Sequence, residues 1–292
     1  MNKIIADLSF DQERALYGMS DIKVLNCHFG GEADGESALK ECHDFEVQDC
    51  TFAMRYVLWH AQNFVLRNCS LDEATRAPLW YDTHGLIDNC KLHSVKNIRE
   101  CQDITFVDCD IDSEEFGWKS ADLSFNNCQI NSVYGFLDSK RLTINDAKLT
   151  GKYALQYVED STISNSHIET KDCLWHAKNV TVSNSTLVSE YLAWYSENLT
   201  LINCHIVSSQ PLCYCKGLKL INCTFEIGDR SFEYSDINAT IKGHIISIKN
   251  PLSGRIIVDS VGQIITEQDL KNCHCQIIVS NNNDNNDNDQ QS

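Results

Sequence analysis

The stretch Leu199-Thr-Leu-Ile-Asn-Cys-His-Ile206 returns nineteen residues later as Leu218-Lys-Leu-Ile-Asn-Cys-Thr-Phe225. Nine earlier copies precede it: VLNCHF, VQDCTF, LRNCSL, IDNCKL, FVDCDI, FNNCQI, INDAKL, ISNSHI and VSNSTL. Numbered by the residue after the Asn or Asp, the copies fall at Cys27, Cys50, Cys69, Cys90, Cys109, Cys128, Ala147, Ser166, Ser185, Cys204 and Cys223. The intervals are 23, 19 and 21, then 19 seven times in succession. A fixed period of this size marks a repeat architecture. Apolar residues sit three before the reference and two after it in every copy, and five before it in all but two (Gly85 and Ser161), the alternation of a β-strand. Asn or Asp just before the reference marks a bend, because these side chains satisfy turn backbone and tolerate unusual φ. The small Cys, Ser or Ala that follows suits a tight interior corner.

A unit of this size, with about three short strands, cannot bury its own apolar face, but stacked units can. Equivalent residues then lie one strand spacing, about 4.8 Å, apart, and eleven coils make a rod of roughly 50 Å. The repeat therefore predicts an all-β, single-stranded parallel β-helix (solenoid) of about 11–13 coils. It is read as right-handed, because the left-handed rival has a six-residue period and nineteen is not a multiple of six. Residues 14–279 are assigned to this domain. Residues 1–13 are expected to cap its open end, and 280–292, with NNNDNNDND, to form a disordered tail. The Asn and Asp of the bend are expected to bond up and down the stack.

The corner phrase resembles the right-handed β-helices of the pectin-lyase-like superfamily over roughly residues 14–266. The finer phrases RYVLWHA, EEFGWKS, TKDCLWHAKN, EYLAWYS and QPLCYCKGLKL resemble an uncharacterised family, domain-of-unknown-function family 3737. The family resemblance implies a fold and no reaction. The superfamily implies polysaccharide lyases and glycoside hydrolases with sites on the outer face of one sheet, but no catalytic motif here matches theirs.

Composition narrows the function. The 292 residues carry 24 Lys and Arg against 41 Asp and Glu, a formal charge of −17. Such acidity argues against nucleic-acid binding, which needs a basic face. No apolar run approaches the roughly 20 residues of a membrane helix. Acid at Asp7 interrupts any export signal. Fifteen cysteines, an odd number, then fit a reduced, cytoplasmic chain.

One strip of the repeat is compositionally distinct. Eight segments begin fourteen residues before the references from Cys69 to Cys204, and together hold 56 residues. They contain all five Trp, seven of ten Tyr, and seven basic against seven acidic residues. As a ligand groove, this strip would use Arg55, Tyr56, Trp59, His60, Arg76, Trp80, Tyr81, Lys96, Glu100, Trp118, Tyr134, Lys152, Tyr153, Tyr157, Lys171, Asp172, Trp175, His176, Tyr191, Trp194 and Tyr195. The rings would stack on sugars and the charges bond their hydroxyls. Two other readings stand beside it: indoles stacked inside the rod with ionic rows in solvent, and an interface for a partner or a second copy. Strict alternation puts the His60 row outside and the Trp row inside. It also puts Leu58, Leu79, Ile98, Phe136, Leu155, Leu174 and Leu212 outside, so either a bend breaks the alternation or something covers that stripe.

Catalysis has thin support. Lys119 and Asp138 fall on adjacent coils of the His60 row. Glu115 offers a carboxylate, and glycoside hydrolysis wants two flanking one bond. Eight cysteines occupy the corner that Ala147 also fills, which marks packing rather than ligation. The Cys213/Cys215 and Cys273/Cys275 pairs lack the usual two-residue zinc spacing, and no metal or cofactor is expected.

Overall fold

In a computed structural model, described over residues 3–267 and 272–280, the chain winds into a parallel β-solenoid of about 14 turns. The coil of Cys109 shows the plan. Strand Gln102–Val107 leads to the bend, strand Asp110–Asp112 follows, and a looser third side carries the short strand Glu115–Phe116. The first strand pairs in register with Thr83–Asp88 on one side and Ala121–Asn126 on the other. Ile104 and Phe106 point inward and are fully buried. Like side chains therefore stack: Phe106 on Phe125 at 4.6 Å, and Phe10 on Phe29 on Phe52 at 5.0 and 4.7 Å.

The bend residue has φ between 49° and 55° in all eleven copies, the left-handed region that Asn and Asp tolerate best. Its side chain donates to the coil before: Asn68 to Asp49 at 2.9 Å, Asn89 to Asn68 at 2.8 Å, Asn127 to Asp108 at 2.6 Å. Where Asp follows Asn, as Asp49 after Asn26 or Asp108 after Asn89, the carboxylate has no donor to send back. The column is therefore bonded in segments. A second bend column, unanticipated, runs ahead of the first strands through Asp44, Asn63, His84, Asp103, Asp122, Arg141, Asp160, Asn179 and Asn198. There Asn198 donates to Asn179 at 3.0 Å, and Arg141 grips Asp122 with two bonds of 2.6 and 2.8 Å.

The corner is more than a small space. The backbone N–H of Ala147 donates to Ser166 Oγ at 3.1 Å, and that of Ser166 to Ser185 Oγ at 3.0 Å. Each hydroxyl then donates to the carbonyl two residues back, at 2.7 Å. Thiols do the same more weakly: Cys27 N–H reaches Cys50 Sγ at 3.3 Å, and Cys69 Sγ donates to Arg67 O at 3.1 Å. Cys and Ser interchange because both accept from one coil while donating within their own.

The ends differ from expectation. The segment assigned as a cap is a coil: Lys3–Ala6 pairs with Ile22–Leu25 and Ser9–Phe10 with His28–Phe29. Its own Ile5 and partly buried Phe10, with Leu16 and Met19 just beyond it, close the end of the core. At the other end the repeat lengthens into strands Asp236–Lys249 and Ser253–Ile265, and Gln276–Val279 adds a last pairing. These coils lift the count above the expected range. The assigned tail lies, apart from Ser280, outside the described residues.

Candidate functional site

The aromatic strip turns twice within a few residues, and this resolves the alternation. Phe136, Leu155, Leu174 and Leu212 have φ of 60–63°, and every member of the row from His60 to Tyr214 has φ of 52–65°. In those four coils two bends in quick succession break the alternation; at Leu58, Leu79 and Ile98 the bend of the His60 row alone breaks it, and in every case the residue before the Trp position turns inward. Leu58, Leu79, Ile98, Phe136, Leu155, Leu174 and Leu212 are consequently buried at 0–1% exposure, not outside as alternation implied. The Trp row, expected inside, is half-buried at the surface.

Each indole is committed to its own rod. Trp59, Trp80, Trp118, Trp175 and Trp194 donate Nε1–H to the carbonyls of Ala77, Lys96, Tyr134, Tyr191 and Gln210 at 2.6–3.0 Å. Each acceptor lies one coil on. The rings also stack along the axis: Trp59 on Trp80 at 5.3 Å, Trp175 on Trp194 at 5.6 Å, with Arg99 between Trp80 and Trp118 at 5.0 and 5.4 Å. Trp175→Phe keeps the stack but strands the Tyr191 carbonyl. It should cost about 1 kcal/mol, read as a lower denaturation midpoint at unchanged slope.

The neighbouring row behaves alike. His60 stacks on Tyr81 at 4.9 Å, and Tyr157, His176, Tyr195 and Tyr214 stack in turn at 4.8–5.1 Å. Tyr157 and Tyr195 are 49% and 43% exposed; His176 covers one face of each, and Tyr214 covers the other face of Tyr195. Tyr56 leans on Trp59, Tyr134 stacks on Tyr153, and Tyr191 leans on Trp194. Within each stack the strip spends ring faces on neighbouring rings, which leaves fewer open faces for sugar stacking.

Its charges form surface pairs. Arg55 bonds Glu36 at 3.3 Å, Lys96 meets Glu115 at 3.0 Å, and Lys171 lies 4.0 Å from Glu190. Such exposed pairs contribute little each. Arg76, Glu100 and Lys152 are exposed. An alternating column, Lys140, Glu159, Lys178, Glu197 and Lys216, was not foreseen; it closes at 3.0 Å between Lys140 and Glu159 and 2.8 Å between Lys216 and Glu197. Asp172 is half-buried, with Oδ1 enclosed and without a hydrogen-bond partner, and burial pushes its carboxyl up. Lys119 and Asp138 stand exposed on neighbouring coils. Glu115, turned away beyond buried Phe116 and the bend at Gly117, is held by Lys96. Among the described residues no three His, Cys, Asp or Glu gather as a metal site. Cys213 and Cys215 are buried and donate to backbone carbonyls.

A hollow of about 420 Å³ touches the strip at His60, beside Glu41, Cys42, His43 and Gln62; a larger one lies where the second short strand turns into the third side. His93, Asp112, Asn131, Thr150, Glu169, Val188 and Val207 are successive partners in register, one per coil. An open hollow of about 550 Å³ runs along the second half, with Val188, Val207 and Ile227 as an apolar strip beside Glu169, Lys171 and Glu190. A second, of about 200 Å³, takes in His93, Asp110, Asp112, Asn131 and Lys148, and the two share Thr150. Together they make one trough. Ser189 and Ser208 line the larger hollow, Ser113 and Ser132 hold the matching places on earlier coils, and each hydroxyl donates to a backbone carbonyl one coil away at 2.9–3.3 Å. Of the residues expected in a ligand groove, Lys171 alone lines it. The rest went unnoticed because Thr, Val, Ser and Glu at these places are ordinary strand and corner residues; the one available signal was that this column changes chemistry from coil to coil.

Among the described residues no helix is long and apolar enough to cross a membrane. No curated protein matches the sequence. Among solved structures, the crystal structure of PfbA, a surface adhesin of Streptococcus pneumoniae, is similar with a TM-score of 0.41 and 7% identity. That alignment covers 95% of this chain and 82% of the other. A model of a family of proteins of unknown function, DUF3737, matches residues 3–278, and the chain belongs to that family.

Proposed function

We propose that the protein is a binding rod that takes an extended, uncharged carbohydrate chain in the trough between His93 and Ile227. The trough itself carries this reading. Its hydroxyl, amide and carboxylate groups suit sugar hydroxyls, and Val188, Val207 and Ile227 suit the apolar faces of sugar rings. The aromatic strip is the weaker candidate, because many of its ring faces are spent on one another and its indole donors are used. Charge narrows the ligand further. With Glu169 and Glu190 on the wall and −17 overall, an anionic polymer would be repelled.

An array of neutral, amino and acidic oligosaccharides tests it. Neutral sugars should be retained, and acidic ones should not. Val207→Arg should weaken binding at least tenfold, and Tyr195→Ala on the aromatic strip should leave it unchanged. Retention of no glycan overturns the reading, and so does loss with Tyr195→Ala but not with Val207→Arg.

A further inference from the structure

We infer that Asp172, with the tyrosines of the coils on either side of it, forms a binding site for a guanidinium group. The site is separate from the trough and does not depend on the carbohydrate reading. One column on the third side runs Tyr134, Tyr153, Asp172 and Tyr191, one residue per coil. A single repeated bond fixes its register: the four backbone N–H groups donate in turn to the carbonyls of Glu114, Val133, Lys152 and Lys171, in the coil before, at 2.8–3.4 Å. Tyr134 stacks on Tyr153 at 5.4 Å with the planes 20° apart, so the other face of Tyr153 turns toward the coil of Asp172. Among the described residues no ring lies against that face. There the column exchanges a ring for a short carboxyl. Tyr153 and Tyr191 stand two coil steps apart, roughly 9.6 Å, with the gap at Asp172 between them.

The rod already shows what fits such an interval. In the neighbouring column Trp80, Arg99 and Trp118 are consecutive partners. The Arg99 guanidinium lies 5.0 Å from one indole centroid and 5.4 Å from the other. At Asp172 the place between rings is the same, but among the described residues no Lys or Arg lies over Tyr153 or Tyr191. Lys171, next along the chain, faces Glu190 at 4.0 Å. Asp172 supplies the countercharge: it is half-buried, and its Oδ1 is enclosed without a hydrogen-bond partner. An acceptor left in that state is a standing cost that an incoming donor removes. A guanidinium is flat, stacks on ring faces and carries its donors in a fork, whereas an ammonium is compact and strongly hydrated. The formal charge of −17 draws cations of both kinds, so a preference between them is what the site itself adds.

Titration of the full chain with propylguanidine and with a short blocked peptide bearing one arginine, followed by proton NMR, tests the site. Propylamine and the matching lysine peptide are the controls. The methylene protons beside the guanidinium should move upfield as they enter the ring current of Tyr153, and each guanidinium probe should bind more tightly than its ammonium counterpart. Equal affinity of the two guanidinium probes assigns the site to a free guanidinium compound, and a tighter peptide assigns it to an arginine of a partner protein. Asp172→Asn, which keeps the shape and removes the charge, should weaken binding about tenfold. Asp172→Tyr, which puts a ring back into the column, should abolish binding without lowering the unfolding midpoint. Absence of binding by both guanidinium probes, equal affinity for propylamine, unchanged affinity in Asp172→Asn, or binding that survives Asp172→Tyr each overturns the proposal.

Discussion

Asp82→Ser should stabilise the protein at neutral pH by about 1–3 kcal/mol, and the gain should shrink as the pH falls toward 4. Asp82 stands in the inward column otherwise filled by residues such as Ala61, Cys101, Ser120 and Ser139. It is fully buried. Its Oδ1 accepts the Ala61 N–H at 2.8 Å, while Oδ2 is buried without a partner. Burial holds this carboxyl well above its usual range. A serine here would do what Ser120 does, accepting the N–H of the coil before at 3.2 Å and donating to a carbonyl two residues back at 3.2 Å. It would keep the bond and discard the stranded oxygen.

The sign follows from linkage. The folded chain holds a proton on Asp82 that the unfolded chain releases near pH 3.9. The stability tied to this group is full below that pH and is lost as pH rises toward the folded value. Thermal unfolding of both proteins at pH 4.5 and pH 8 checks this. A gap between variant and wild type that is equal at the two pH values, or reversed, would show that Asp82 is satisfied in the fold.

Gly151→Ala should do the opposite, costing at least about 1–3 kcal/mol as an overpacked site and reshaping the trough. Gly151 has φ of 151°, and a Cβ there would fall 1.7 Å from the Ser132 carbonyl oxygen. Backbone must therefore move at the junction of the two hollows, beside Thr150. Gly135→Ala is the control: its Cβ would meet nothing closer than 3.5 Å. Ligand affinity and unfolding midpoint should both fall for Gly151→Ala and hold for Gly135→Ala. A Gly151→Ala protein with wild-type stability would mean that the Ser132 peptide can swing aside freely.

The fold could be read from one phrase because its signals agree. Leu199, Leu201 and Ile206 alternate, Asn203 bends, Cys204 turns the corner, and the period repeats the set. The second bend column was equally written in Asp160, Asn179 and Asn198, but lay at the edge of the phrase. The aromatic strip misled for a physical reason. Its bends use Leu155, Leu174, Tyr157 and Tyr195, residue types with no preference for positive φ. The stack imposes that conformation by pairing the backbone to the coils on either side, and no local property of those residues announces it. The trough was illegible for a related reason. Concavity arises from the angle between two sides of the coil, and no composition encodes an angle.

Every link between coils described above, whether strand pairing, corner N–H, indole N–H or stacked ring, joins a coil only to its immediate neighbours. Tension applied across the two ends would therefore not be shared along the whole length. The protein should peel from its extremities one winding at a time, each release paying out a similar length of chain, while the remainder stays intact.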